Sequence, residues 1–518
     1  MRAVRVRRAV DGLARPAVAA FSLAVAVGLW QAATVVWGIP SILLPAPTEV
    51  VAALRERPGQ VAGHVLYTSY EIGLGWVAGV GAGMAAAGAM AASRRLRLAV
   101  YPLLVSVRIV PLIAIAPLLI VVFGATLRTR VLLAAILTFF PVTVATLDGL
   151  RSVPQGQLDL LRSVEASTWK RIRYVRLPNA LPSVFAGVKI ATPFAVEGVL
   201  IAEFLAASRG LGHAVLQAAA ALDTPLLFGE VTLIVALGLA LFGLVVLAER
   251  SIRWADDAAG IDGVGTGGVS APTPERLVFG GVALAALVGV WLVGTVTVPN
   301  AGVFLPPPAA VAASLAETPG LFLRASASSL RKLVVGWGIG GAVGASLGAA
   351  LAFAPRSRPV IGPFLVGARV TPSIVAAPLL LVWLGISVTA GIVLVALATF
   401  FPVAVATASG LTTLPERHRS LLDSVAAPRR TRLVVRLRFG LPTVIAGVKL
   451  SLISGLSGVV IAEWFVANGG LGVLVNQGMR NLQPALTYAA VACLFSLGML
   501  LFGGASLLQR RLDFYSSD

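Results

Sequence analysis

Long apolar runs separated by short clusters of arginine make up most of this chain. Twelve runs are long enough to cross a bilayer as helices, because about 30 Å of hydrocarbon requires about 20 residues at 1.5 Å each. They begin near residues 17, 70, 100, 131, 183 and 228, and then near residues 277, 330, 360, 390, 443 and 485. Since polar residues do not alternate with apolar ones along the runs, the pattern predicts membrane-spanning helices and not the strands of a barrel.

The last six runs repeat the first six about 261 residues later. Equivalent motifs recur in the same order: Trp76 and Trp337, Ala-Pro-Leu-Leu at 116–119 and 377–380, Phe-Phe-Pro-Val at 139–142 and 400–403, and, after a one-residue deletion, Ala-Gly-Val-Lys at 186–189 and 446–449. We therefore predict an all-α polytopic membrane protein with about twelve transmembrane helices in two tandem parallel six-helix repeats. The repeats would occupy residues 1–250 and 276–518, with a cytoplasmic linker at 251–275.

Composition and charge support a lipid environment. The chain is 58% hydrophobic and only 12% charged, whereas soluble domains have about a quarter of their residues charged. The net charge of +19 does not indicate a nucleic-acid partner, because the basic residues fall in short clusters between apolar runs and not on one wet surface beside aromatic side chains.

The positions of the arginines predict the orientation. The basic stretches at 94–97, 162–176, 356–358 and 417–438 fall on the same side of a twelve-span zigzag as both termini. Basic residues concentrate in short cytoplasmic loops, so we expect a multi-pass protein of the cell membrane with both termini in the cytoplasm. Arg128 and Arg130 fall on the other side and are a local exception.

Glycines recur every fourth residue in the second span of each repeat, at 75, 79 and 83 and at 336, 340, 344 and 348. This spacing leaves a smooth strip on one helix face, which lets a neighbouring helix approach closely in lipid. We expect the strip to serve packing.

Two matched cytoplasmic loops of about thirty residues lie between the fourth and fifth spans, at 150–182 and 411–442. Each contains a short predicted helix with an exposed Leu-Leu pair, at 158–166 and 420–427. Such a helix could dock in the groove of a partner or lie on anionic lipid, and the residues alone do not decide between the two.

The loop that ends in Val-Arg-Leu-Pro-Asn-Ala-Leu-Pro at 175–182 resembles the signature region of binding-protein-dependent ABC importer permeases, whose pattern is Glu-Ala-Ala, three residues, Gly, nine residues and Ile-x-Leu-Pro. Leu-Leu-Pro-Ala-Pro-Thr-Glu-Val at 43–50 and Ile-Ala-Glu-Phe-Leu-Ala-Ala-Ser-Arg-Gly-Leu-Gly at 201–212 are similar to the nitrate, sulfonate and taurine branch. The resemblance implies a permease that works with two ABC ATPase subunits and an extracytoplasmic solute-binding protein. It implies a small-molecule solute, a nitrate-, sulfonate- or taurine-like anion, with a heterocyclic vitamin precursor (pyrimidine/thiamine or riboflavin type) as the alternative.

The same resemblance predicts which residues couple to the ATPase: Asp159, Leu160, Leu161, Glu165, Ala166, Leu421, Leu422, Asp423, Ala426 and Ala427. The loops depart from the family pattern. Asp-Leu-Leu at 159–161 stands in place of Glu-Ala-Ala, Glu165 and Ala426 stand in place of glycine, and the second Leu-Pro has become Leu437-Arg438.

Charged residues inside the spans are candidate functional groups, since each is costly in hydrocarbon. Arg108 and Arg369 precede Pro111 and Pro372 by three residues in the third spans. Each arginine could line an anion pathway beside a proline bend or extend to the cytoplasmic surface.

Three glutamates also fall in the spans. Glu203 and Glu463 close the fifth spans, where a structural or gating ion pair is expected. Glu197, with Ser457 as its counterpart, is a candidate solute contact in the translocation path.

The chain contains no Gly-x-x-x-x-Gly-Lys-Ser/Thr phosphate loop, no metal-ligand spacing and no nucleophile motif. We therefore expect no cofactor and no enzymatic activity, with ATP hydrolysis in separate partner subunits. A rival function is an ion-gradient-driven secondary transporter. That class often buries paired carboxylates in mid-membrane, whereas Glu197 is the only deep carboxylate that the sequence indicates.

Overall fold

The computed structural model describes residues 24–109, 112–153, 155–252, 305–354, 371–412 and 416–513, together with residues 21, 282, 285, 288, 289, 291–297, 361, 362, 364, 365, 367, 368 and 414. Throughout this described part the regular elements are helices, which confirms the predicted all-α membrane class. Among the described residues, eight helices have the length and composition to cross a membrane: Pro58–Ala92, Leu127–Arg151, Ile172–Ala206, Thr224–Ser251, Pro319–Phe353, Val388–Thr412, Arg430–Phe465 and Pro484–Leu507.

The helices of the two halves occupy equivalent positions. In the first half they are α1 (Ala24–Val36), α2 (Pro47–Glu56), α3 (Pro58–Ala92), α4 (Arg94–Ile109), α5 (Ala116–Phe123), α6 (Leu127–Arg151), α7 (Gln155–Ser163), α8 (Thr168–Arg171), α9 (Leu177–Ala206), α10 (Leu211–Ala220) and α11 (Thr224–Ser251). In the second half they are α12 (Pro308–Glu317), α13 (Pro319–Phe353), α14 (Ala376–Leu384), α15 (Val388–Thr412), α16 (Glu416–Ser424), α17 (Arg429–Phe465), α18 (Leu471–Arg480) and α19 (Pro484–Asp513). Of the predicted linker at 251–275, residues 253–275 lie outside the described residues.

The second span is longer than its hydropathy indicated. It begins at Pro58, and not near residue 70, so α3 has 35 residues and is about 52 Å long. Its first turns include the polar residues His64 and Thr68, which lower the hydropathy but make hydrogen bonds to other parts of the protein. In the second half, α13 begins at the equivalent Pro319.

The third span is broken rather than continuous. In the first half α4 ends at Ile109, a 3-10 turn covers Leu112–Ile115, and α5 begins at Ala116. In the second half a 3-10 turn at Ser373–Val375 follows Pro372 and leads into α14. A proline removes one backbone hydrogen bond and its ring crowds the preceding turn, and the break in the third span lies beside Pro372. Pro111 and Arg369 lie outside the described residues.

The glycine strip packs against the fourth span of the same half, as its spacing predicted. A Cβ atom added at Gly79 would lie 2.6 Å from the carbonyl oxygen of Ala135. One added at Gly83 would lie 2.9 Å from the carbonyl oxygen of Phe139. Both distances are shorter than a van der Waals contact, so only glycine allows α3 to approach α6 this closely.

The one-residue deletion between the halves has a structural counterpart. Residues Ile172–Arg176, between α8 and α9, form a π-helical segment, whereas α17 is α-helical from Arg429 to Phe465. A π-bulge accommodates one extra residue in a helix. The first half therefore absorbs its extra residue at the start of the fifth span and keeps the register of the rest of that span.

The two halves share one apolar core, to which both contribute buried side chains. The 3-10 turn of each half contacts the fifth span of the other half, and the short helices α10 and α18 contact α14 and α5 respectively. Phe204 packs edge-on against Phe465 with ring centroids 5.4 Å apart, and the Trp383 indole donates a hydrogen bond of 2.6 Å to the carbonyl of Leu43. The third and fifth spans thus form much of the boundary between the halves.

Candidate coupling surface, path and outer anchors

The short helices of the two long loops end earlier than predicted. They cover Gln155–Ser163 and Glu416–Ser424, so the predicted ranges 158–166 and 420–427 are wrong at their carboxyl ends. Glu165 and Ala426 have φ angles of 50° and 47°, a left-handed conformation that ends an α-helix. Glu165, Ala166, Ala426 and Ala427 therefore lie in or after a turn and not in the helix.

The same turn is built in both halves. The amide of Ala166 donates to the carbonyl of Leu161 at 2.9 Å, and that of Ala427 donates to Leu422 at the same distance. An arginine closes each turn: Arg171 Nε donates to the Ala166 carbonyl at 3.0 Å, and Arg432 Nε donates to the Ala427 carbonyl at 2.9 Å. The helix, the turn and the following segment therefore form one fixed unit.

Each unit presents apolar side chains to its surroundings. Leu160 is 67% exposed and Leu421 is 60% exposed, while Leu161 and Leu422 are half-buried. We define the coupling surface as the exposed apolar residues of both units: Leu160, Val164 and Tyr174 in the first half, and Leu421, Val425 and Val434 in the second. Asp159 and Asp423 are exposed beside them, and Asp423 forms an ion pair of 2.9 Å with Arg432.

The loops are shorter than predicted because their second parts are helical. The π-helical segment from Ile172 continues directly into α9, and α17 already begins at Arg429. The fifth span and the coupling unit are therefore joined by helix, so a displacement of the unit can be passed along it to the interface between the halves.

The face of α9 opposite α6 borders the other half. Gly187 and Gly198 lie against α6, while Pro193 and Glu197 are half-buried on the other side. The Glu197 carboxylate accepts a hydrogen bond from Ser373 of the second half. Ser373 directly follows Pro372, so the break in the third span brings it to Glu197. Glu197 lies about 14 Å before the carboxyl end of α9.

The side chains of the two arginines predicted to line the translocation path lie outside the described part of the structure. Arg108 belongs to α4, but its side chain lies outside the described part of the structure, as does the whole of Arg369. Their proposed role in attracting anions therefore remains a prediction.

Glu203 is fully buried where the fifth span ends. Its carboxylate accepts hydrogen bonds of 2.7 Å from the amide of Gly212 and from the hydroxyl of Thr68. That hydroxyl in turn accepts a bond of 2.8 Å from the amide of Leu211. Carboxylates are favoured at helix amino termini because free amides and the helix dipole stabilise negative charge, so Glu203 anchors the start of α10.

Glu463 forms the same anchor in the second half. It accepts from the Gly472 amide and the Ser329 hydroxyl at 2.7 Å each, and Ser329 accepts from the Leu471 amide at 2.9 Å. In addition, Lys332 Nζ lies 2.6 Å from a Glu463 oxygen and is 1% exposed. The short helices α10 and α18 are thus fixed by equivalent buried carboxylates.

Sequence reasoning missed several residues of these anchors. Glu71 and Arg130 form a buried ion pair of 2.5 Å beside Glu203, and Lys332 holds the position of Glu71 in the second half. Glu71, Glu203, Glu230 and Glu463 are less exposed to solvent than Glu197, but burial within the protein does not measure depth in the membrane, so Glu197 as the only deep carboxylate stays a prediction. The available signal was Arg130 itself, which departs from the predicted positive-inside pattern, because an arginine among the spans requires a partner.

Comparisons with known proteins show the same division into halves. A family model described as the binding-protein-dependent transport system inner membrane component matches residues 79–258 and again residues 340–514. The riboflavin transport system permease protein of Chloroflexus aurantiacus is 33% identical over 228 residues, which is 43% of this chain and 85% of that protein.

Two further relatives show a similar extent. The formylaminopyrimidine transport permease protein of Halalkalibacterium halodurans is 32% identical over 225 residues, 43% of this chain and 89% of the relative. The taurine transport system permease protein of Escherichia coli is 30% identical over 241 residues, 45% of this chain and 88% of the relative. Each relative is therefore similar to about one half of this chain.

Proposed function

The chain belongs to the binding-protein-dependent transport system inner membrane component family in both of its halves, and on that premise we propose that it forms the complete transmembrane pathway of an ATP-driven importer. It is a multi-pass ABC permease component, a transport subunit rather than an enzyme. The first half would cover residues 1–250, the linker 251–275 and the second half 276–518. The two halves would act as a pseudo-dimer, equivalent to the pair that two separate chains form in other permeases. Both termini and the linker would lie in the cytoplasm.

The observation that best supports this function is the pair of equivalent coupling units. Each exposes a leucine, at 160 or 421, on a helix that a fixed turn joins to the fifth span. Exposed apolar residues on a short helix suit a hydrophobic groove in a partner. We infer that two ATPase subunits bind one unit each, and that the fifth spans transmit their movement to the boundary between the halves.

The solute would cross between the fifth spans, beside the Glu197–Ser373 contact. A carboxylate there opposes the entry of a simple anion but binds N–H and O–H donors strongly. We infer a small solute that carries such a donor, as a heterocyclic precursor or the ammonium group of taurine does. Nitrate and plain sulfonates would be poor solutes. An extracytoplasmic binding protein would deliver the solute to the outer surface.

ATPase docking can be tested with Leu160→Glu and Leu421→Glu, made separately in the full-length chain and co-expressed with the ATPase subunit. Burying one leucine contributes about 1.5–3 kcal/mol, so each change should weaken ATPase binding by at least about tenfold. The measurement is the amount of ATPase that co-purifies. Leu222→Glu is the control, since Leu222 is also an exposed leucine but lies in the turn before α11, away from both coupling units. Undiminished binding in both coupling variants would refute the docking role.

The solute class can be tested in liposomes that contain the transporter, its ATPase and its binding protein. Taurine, riboflavin, formylaminopyrimidine and ethanesulfonate form a suitable panel, because only ethanesulfonate lacks an N–H group. We expect uptake of a donor-bearing solute and its reduction in Glu197→Gln, with Ser457→Ala at the equivalent second-half position as the control. Efficient uptake of ethanesulfonate that does not change in Glu197→Gln would contradict this assignment.

A further inference from the structure

The two outer anchors have the same geometry but opposite charge at one position. Glu203 and Glu463 each accept one backbone amide and one hydroxyl at equivalent distances. The residue that stands one turn further along the second span is Glu71 in the first half and Lys332 in the second. Both side chains are essentially inaccessible to solvent.

The first-half anchor contains two carboxyl groups and one arginine. Arg130 Nε lies 2.5 Å from one oxygen of Glu71 and its Nη2 lies 2.5 Å from the Tyr67 hydroxyl. The other oxygen of Glu71 is buried and receives no hydrogen bond from any N–H or O–H group of the described residues. Glu71 and Glu203 act electrostatically on each other, and two deprotonated carboxylates cannot hydrogen-bond to each other because neither has a donor.

No other described neighbour supplies the missing positive charge. His64, on α3, accepts a hydrogen bond from the Gly210 amide through Nδ1 at 3.1 Å, so that nitrogen carries no proton. His213, on α10, acts on His64 and is not among the groups that act on Glu71 or Glu203. With both glutamates ionised, the anchor would therefore have an excess negative charge in a buried site, which is strongly unfavourable.

The second-half anchor is neutral without any added proton. Lys332 Nζ contacts both Glu463 and the carbonyl of Gly469. The position of Arg130 is taken by Gly391, and a Cβ atom there would lie 3.2 Å from the Lys332 side chain. Gly391 thus makes room for Lys332. The exchange of Glu71 for Lys332 and that of Arg130 for Gly391 therefore compensate for each other.

We propose that the first half binds one proton between the Glu71 and Glu203 carboxyl groups, as a fixed ligand of its outer anchor. The proton supplies the donor that Lys332 provides in the second half and makes both anchors neutral. Since α10 and α18 contact the opposite half, the proton holds part of the outer boundary between the halves in place. This site does not depend on the solute or on the ATPase.

The proton can be observed by infrared spectroscopy on the purified full-length protein in nanodiscs. The wild type minus Glu71→Gln difference spectrum should contain the carbonyl band of a protonated carboxylic acid. Glu71→Gln should still fold, because its amide donates the hydrogen bond in place of the proton. Absence of the band would overturn the proposal. If the band is absent and the thermal midpoint rises with added sodium chloride but not with equimolar choline chloride, the site binds a cation and the proposal is overturned.

A charge transplant gives an independent test. The double variant Glu71→Lys/Arg130→Gly copies the second-half anchor and should unfold near the wild-type temperature, whereas Glu71→Lys alone leaves two cations together and should lower the thermal midpoint. Alkaline pH that removes the proton should lower the midpoint of the wild type but not that of the double variant. Equal pH profiles for the two proteins would contradict a bound proton.

Discussion

The close packing of the second span on the fourth provides a sharp quantitative test. Gly79 and Gly81 lie two residues apart on α3 but face different surroundings. A Cβ atom at Gly79 would lie 2.6 Å from the Ala135 carbonyl oxygen and 2.7 Å from Thr138 Cβ, whereas one at Gly81 would have no neighbour within 4 Å. The substitutions Gly79→Ala and Gly81→Ala therefore add the same methyl group to a filled site and to an open one.

The expected difference has two causes. Alanine stabilises a helix relative to glycine by about 0.5–1 kcal/mol, and this gain is common to both variants. Overpacking a filled site costs about 1–3 kcal/mol, and only Gly79→Ala has this cost. Gly81→Ala should thus be neutral or stabilising, while Gly79→Ala should be less stable than Gly81→Ala by about 1–3 kcal/mol.

The assay is thermal unfolding of both variants in the same detergent, followed by size-exclusion chromatography of the protein that remains folded. Gly340→Ala and Gly341→Ala repeat the comparison in the second half, because a Cβ atom at Gly340 would overlap α15 while Gly341 is open. Equal thermal midpoints for Gly79→Ala and Gly81→Ala would refute the close approach of α3 and α6.

Two other substitutions test the anchors and the coupling turn. Lys332→Met should destabilise the protein by about 3–5 kcal/mol, since it leaves the buried Glu463 charge unpaired, and adding Glu463→Gln should recover much of the loss; no recovery in thermal unfolding would argue against the ion pair. Ala426→Gly should raise the thermal midpoint or leave it unchanged despite the general cost of glycine, because φ is 47° there and glycine adopts that conformation freely. The matched change Ala427→Gly, one residue later, should lower the midpoint, and the reverse order would contradict the left-handed turn.

The sequence by itself predicted the coarse architecture. Twelve apolar runs and a repeat at 261 residues were sufficient for an all-α membrane protein with two similar halves, because a backbone in lipid must satisfy its hydrogen bonds within each segment. Glycines at every fourth position predicted the close packing of the second span for a similarly local reason. The resemblance to importer permeases rested on short motifs, and both halves match that family.

The bounds of the helices and the anchors depended on tertiary structure. The second span begins at Pro58 because other parts of the protein supply partners for its polar first turns, which hydropathy counts only as a cost. Likewise, Glu165 and Ala426 are not themselves the glycine that a left-handed turn favours, and only their place in the family pattern, where glycine stands, pointed to the turn.

The anchors show the limit most clearly. Glu71 meets Arg130 across 59 residues of sequence, and Lys332 meets Glu463 across 131. Spacing along the chain could not have paired them. A charge buried in a membrane protein is tolerated only beside its partner, and the packing of the second, fourth and fifth spans decides which residues become partners.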